Sequence, residues 1–237
     1  MDNSNNSFTN KINYDNITCE PLPEEYSAYD LSFKLIVIGD SAVGKSCLTM
    51  KATKNFFEEF YSPTVGFEFF TFNVKVNDKA IKLQIWDTCG QEVYRSLIQS
   101  FYRNSSLAMM VYSINSKESF DNVEMWLREL RTHSNPDVKV FLIGNKSDLE
   151  AEREVTTEQG ENFYKQNNLS LFMESSAKTG FNTQKIFIKA AEILYEDYNK
   201  YKDDNSSNDM GSTDENNVNN RQKLDIHNNK NKKGCCK

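Results

Sequence analysis

Two hydrophobic patterns alternate along this chain. Short, nearly continuous apolar runs occur at FKLIVIG (33–39), FEFFTFNVKV (67–76), KAIKLQIWD (79–87), LAMMVYSI (107–114), VKVFLIGN (138–145) and SLFMES (170–175). Runs of this length, rich in β-branched and aromatic residues, predict six strands, most of them buried on both faces. Between them, CLTMKAT, SFDNVEMWLRELRTH, TTEQGENFYKQNN and TQKIFIKAAEILYEDYNK repeat apolar residues every three or four positions. That spacing predicts amphipathic helices, about five in all. Strand and helix in alternation imply an α/β fold, with a mostly parallel sheet covered on both faces. The exception falls at Asn77-Asp78, a turn-forming pair that joins the second and third runs into the sheet's one antiparallel hairpin.

The ends depart from both patterns. Residues 1–31 are rich in Asn, Ser and Tyr, and residues 201–237 in Asn, Asp, Ser and Lys, without apolar periodicity. Both are expected to be disordered, leaving 32–200 as one folded domain. Among 237 residues the formal net charge is −6, which gives no bulk attraction to nucleic acid. No apolar run reaches about 18 residues, and MDNSNNSF has no apolar core of a secretory signal, so a cytosolic chain is expected. The five cysteines lack metal-finger spacing.

Candidate chemistry gathers where the predicted strands end. Gly39-Asp-Ser-Ala-Val-Gly-Lys-Ser46 fits GxxxxGK[ST] between a strand and a helix. Such a loop turns its N–H groups toward phosphate oxygens at the positive end of a helix. Ser41, Ala42, Val43, Gly44, Lys45, Ser46 and Cys47 are therefore candidate phosphate-site residues. Lys45 serves as a point charge for β- and γ-phosphates, and the Ser46 hydroxyl as a Mg²⁺ ligand. Asp87, closing the apolar run KLQIW, is the candidate carboxylate for that metal.

Two further loops follow apolar strands, Asn145-Lys146-Ser147-Asp148 and Ser176-Ala177-Lys178. Asp148 can accept hydrogen bonds from the N1–H and exocyclic amino group of guanine, whereas adenine presents a lone pair there. GTP is therefore expected over ATP, and an ATP-using P-loop kinase fails on this residue.

With GDSAVGKS, Thr64, WDTCGQE, NKSD and SAK in this order, the stretch from about Phe33 to Tyr198 resembles the small GTPases. TVGFEFF, KLQIWDT, YRSL and the paired cysteines near the end resemble the Rab family more than Ras, Rho or Arf proteins. The resemblance implies a P-loop NTPase small G domain of six strands with one antiparallel, binding GTP or GDP with Mg²⁺. It implies that Thr64 ligates Mg²⁺ and senses the γ-phosphate, and that Gly90 meets that phosphate. It further implies that Phe57 packs edgewise on guanine, Tyr61 covers the phosphates and Gln91 orients the attacking water, giving Gln91, Lys45 and Gly90 as catalytic candidates. Cys89 replaces the family's usual Ala, by simple tolerance or as an oxidisable thiol in the second switch. Ser41 stands where small residues vary.

No internal arginine finger is evident, so intrinsic hydrolysis is expected to be slow and completed by a GTPase-activating protein. The other implied partners are a guanine nucleotide exchange factor, a GDP dissociation inhibitor, an escort protein with geranylgeranyl transferase, and effectors. NNKNKKGCCK fails the CaaX pattern, because Gly234 is fourth from the end. Cys235 and Cys236 instead resemble Rab-type double prenylation sites, and lysines beside them favour an anionic leaflet. A monomer with a soluble pool, lipid-anchored on the cytoplasmic face of endomembranes and regulating vesicle trafficking, is the implied role. A non-hydrolysing GTP-binding scaffold on the same fold is the alternative.

Overall fold

The computed structural model describes residues 18–59, 64–90 and 100–208, with side chains described through 203. Its strands are β1 (Cys19–Leu22), β2 (Leu31–Ile38), β3 (Phe67–Val76), β4 (Lys79–Thr88), β5 (Leu107–Ser113), β6 (Lys139–Asn145) and β7 (Leu171–Glu174). Its helices are α1 (Lys45–Lys54), α2 (Lys117–Asp121), α3 (Val123–His133), α4 (Thr157–Gln166) and α5 (Thr183–Asn208). The sheet runs β1-β3-β4-β2-β5-β6-β7, and from β4 to β7 every neighbour is parallel.

Side-chain alternation along β2 explains the layers. Leu35 and Val37 point into one core with Leu48 of α1 and Ile186 and Phe187 of α5. Ile36 and Ile38 point into the other, with Phe120 of α2 and Val123, Trp126, Leu127 and Leu130 of α3. A strand apolar at nearly every position is thereby buried on both faces, as its sequence predicts. The α2–α3 stretch, expected as one helix, divides at Asn122, whose side chain reaches the phosphate loop.

The sheet has seven strands rather than six, and a second antiparallel pairing besides β3–β4. The extra strand, β1, lies within the segment expected to be disordered and pairs Cys19 with Val76 through Leu22 with Asn73. Its cause is an edge to be satisfied: β3 would otherwise present unpaired backbone groups there. Asn73, buried in β3, donates its side-chain amide to the carbonyls of Pro23 and Glu24, both at 3.0 Å. Asp30 accepts the Ala80 N–H at 2.9 Å, fixing the approach into β2. At the other end α5 continues to Asn208, past the expected limit at 200. Among the described residues no helix is long and apolar enough to cross a membrane.

Candidate functional site

The carboxyl ends of β2, β4, β6 and β7 open on one side of the sheet, and a cleft of about 440 Å³ lies there. Ser41, Ala42, Gly44, Lys45, Ser46, Cys47, Phe57, Thr64, Gly90, Asn145, Lys146, Asp148, Ala177 and Lys178 line it. Val43 and Ser176 are buried behind that lining. Tyr61, Gln91, Cys235 and Cys236 lie outside the described residues.

The loop after β2 turns through left-handed backbone at Ala42 (φ 63°) and Gly44 (φ 93°) and delivers Gly44 as the N-cap of α1. A Cβ on Gly44 would stand 2.4 Å from the Asn145 side-chain nitrogen, so this position needs glycine for room as well as for φ. Lys45 is buried, with its ammonium donating to the carbonyls of Gly39 at 2.9 Å and Asp40 at 2.7 Å. Burial pulls its pKa below the ordinary lysine value, while the charges of Asp87 and Asp40 pull it back. An anionic ligand in the cleft would supply the charge that this buried cation lacks.

Below Lys45, three oxygens converge. Ser46 Oγ donates to Asp87 Oδ2 and lies 2.7 Å from Thr64 Oγ1. Asp87 is fully buried, and its Oδ1 has no hydrogen-bond partner among the described residues. Desolvation pushes this carboxyl up to about 7, against the hydrogen bond from Ser46 and the charge of Lys45. A carboxylate with one free oxygen beside two hydroxyls suits Mg²⁺, a hard cation that takes oxygen donors from one or two carboxylates together with phosphate oxygens and waters. The residues fit the ion that the resemblance implies.

At the other end Asn145 ties the loops together. Its side-chain nitrogen donates to the Val43 carbonyl at 2.9 Å, and its Oδ1 accepts from the Ala177 N–H and the Ser175 hydroxyl, each at 3.3 Å. Ser147 N–H donates to the Ser175 carbonyl at 2.9 Å, and Ser176 Oγ donates to Asp148 Oδ1 at 2.5 Å. The phosphate loop, the Asn145 loop and the Ser176 loop thus form one hydrogen-bonded unit.

Cys89 is buried in the second core with its N–H on the Gly66 carbonyl at 3.0 Å. A thiol in that position is withdrawn from solvent oxidants, which favours simple replacement over redox sensing. Cys47 is half-buried at the cleft, and burial raises its pKa, so it is a poor thiolate.

Family models match residues 34–196 to the Ras family. The chain belongs to the Ras family. The match covers more than half of the sequence, and the strand-end cleft falls inside it. Ras-family proteins are small GTPases that bind GTP and GDP, typically with Mg²⁺, and work with exchange factors, activating proteins and effectors.

Three features of this Ras-family site escape a reading by motif. Glu59 pairs with Lys178 at 3.1 Å across the cleft mouth, 119 residues apart in sequence. Asp40, the variable second residue of the phosphate motif, bonds to Asn122 and Trp126. Arg153 clamps Glu174 through two bonds of 2.8 and 2.9 Å, holding the chain on either side of the base loops. Each depends on partners far apart in sequence, which no local spacing encodes.

Proposed function

We propose that this Ras-family chain is a Rab-type small GTPase, alternating between a GTP-bound active form and a GDP-bound inactive form and recruiting effectors in vesicle trafficking. The convergence of Ser46, Thr64 and Asp87 beneath the phosphate loop, with Asp148 and Lys178 at the far end of the same cleft, carries the nucleotide part. Lys45 holds the β- and γ-phosphates. Ser46, Thr64 and Asp87 would hold Mg²⁺, which would supply positive charge against the phosphate oxygens. Asp148 accepts from guanine, Phe57 packs against the base, and Tyr61 covers the phosphates. Gln91 orients the water that attacks the γ-phosphorus in line, and the remaining positive charge comes from an activating protein.

Release of the γ-phosphate frees Thr64 and Gly90, so the segments that carry them relax in the GDP form. Effector recruitment is supported by an exposed aromatic patch on the strands beside those segments. Phe67 and Phe69 are 42% and 49% exposed, and the Phe67 ring lies 5.3 Å from Trp86 and 4.7 Å from Phe101. Clustered exposed rings are typical of binding surfaces.

The Rab assignment rests on TVGFEFF, KLQIWDT and YRSL and on Cys235 and Cys236, which we take as the geranylgeranylation sites that hold the chain on the cytoplasmic face of endomembranes. Two lipid chains anchor stably where one is marginal. The full chain, incubated with Rab escort protein, geranylgeranyl transferase and the lipid donor, is expected to gain two lipids by intact mass and to move onto anionic vesicles. The Cys235→Ser, Cys236→Ser double variant should gain none. An unmodified parent chain would remove the Rab assignment while leaving the Ras-family one standing.

A further inference from the structure

We propose that Asp40 is a positioning residue for hydrolysis, holding the phosphate loop in register with the γ-phosphate site through Asn122 and Trp126. The proposal rests on the nucleotide role assigned to the cleft above. Asp40 Oδ2 accepts from Asn122 Nδ2 at 2.7 Å, and Asp40 Oδ1 accepts from the buried Trp126 indole N–H at 2.8 Å. Both donors stand more than 80 residues away, where α2 meets α3.

The backbone of the same residue is held twice more. Its carbonyl accepts from Lys45 Nζ at 2.7 Å. Its peptide link to Ser41 lies so near Gly90 that a Cβ there would be 2.3 Å from both Asp40 C and Ser41 N. One peptide unit therefore joins the phosphate-binding lysine, the glycine assigned to the γ-phosphate, and helix α3.

Coulomb's law separates positioning from ligand binding at this residue. A carboxylate in a phosphate loop repels the ligand, so Asp40 weakens anion binding. Its contribution lies in the two directional bonds, which aim the charge at neutral donors on the helical side. Removing it should leave nucleotide affinity equal or tighter while slowing the chemical step. A generally weakened fold would lower both.

Single-turnover GTP hydrolysis with Mg²⁺ and guanine nucleotide dissociation constants would be measured for the full parent chain, Asp40→Ala, Asp40→Asn, Trp126→Phe and the Asp40→Ala, Trp126→Phe double variant. Asp40→Ala is expected to slow hydrolysis about fivefold or more, within the roughly hundredfold loss that a 1 Å misplacement can bring, without weakening GTP. Asp40→Asn keeps an acceptor for the indole and should return to within about threefold of the parent. The double variant should be no slower than Asp40→Ala, because both changes remove one interaction. Parent-like hydrolysis by Asp40→Ala, slowing that only tracks weaker binding, or additive losses in the double variant would each overturn the proposal. A parent chain that binds no guanine nucleotide would overturn the nucleotide assignment itself.

Discussion

Asp148→Asn is expected to exchange guanine for xanthine as the preferred base. The carboxylate accepts from two guanine donors, N1–H and the amino group on C2; xanthine carries a carbonyl at C2 in place of that amino group. Ser176 Oγ donates to Asp148 Oδ1 at 2.5 Å, so an asparagine would keep its Oδ1 on Ser176 and turn its amide nitrogen to the base. That nitrogen repels the guanine amino group and donates to the xanthine carbonyl. Sites built around a required hydrogen bond reject the mismatched ligand by about 10⁴ to 10⁵, because a buried polar group is left unpaired. Competition between fluorescent GDP and XDP should show GDP weakened by several orders of magnitude and XDP strengthened. An unchanged preference for GDP would remove Asp148 from base recognition.

The second large effect is expected at Gly90. A Cβ there would stand 2.3 Å from Asp40 C and Ser41 N and 2.4 Å from Asp40 O, all backbone atoms. No rotamer relieves such a contact, and the loop cannot swing away cheaply, since Lys45 holds the Asp40 carbonyl and α3 holds its side chain. Overpacking of this kind typically costs about 1–3 kcal/mol, or roughly five- to 150-fold in affinity. Gly90 meets the γ-phosphate only in the GTP form under the proposed cycle. Gly90→Ala should therefore weaken GTP by about tenfold or more, spare GDP to within about threefold, and abolish GTP-dependent partner capture. Equal loss for both nucleotides would point to a damaged phosphate loop instead of a lost switch.

The parts of this molecule legible in the sequence are those coded by near neighbours. The eight residues Gly39–Ser46 declare a phosphate loop because the turn, the two glycines and the helix start are local requirements. The hairpin at Asn77 is legible for the same reason, and its left-handed φ of 54° is what an asparagine tolerates. Strand β1 is not legible. Its CEPL is short and contains Pro21, which cannot donate to a ladder, so only the open edge of β3 and the buried Asn73 amide make it a strand. The bonds from Trp126 to Asp40 and from Lys178 to Glu59 form only once the sheet has brought distant loops together. Asp87 lies between these cases. Its position at a strand end is a local signal, but its metal-ready state, buried beside Ser46 and Thr64 with one oxygen unpaired among the described residues, comes from the fold.

The most direct measurement is GTP turnover by the purified full chain with Mg²⁺, after extraction and identification of its bound nucleotide, with and without a Rab-directed activating protein. A guanine nucleotide bound near one per chain, slow turnover alone and strong acceleration by the activator are predicted. Tight GTP binding without turnover in either condition would contradict the hydrolytic cycle and favour a GTP-binding scaffold, and failure to bind guanine nucleotide at all would contradict the site itself.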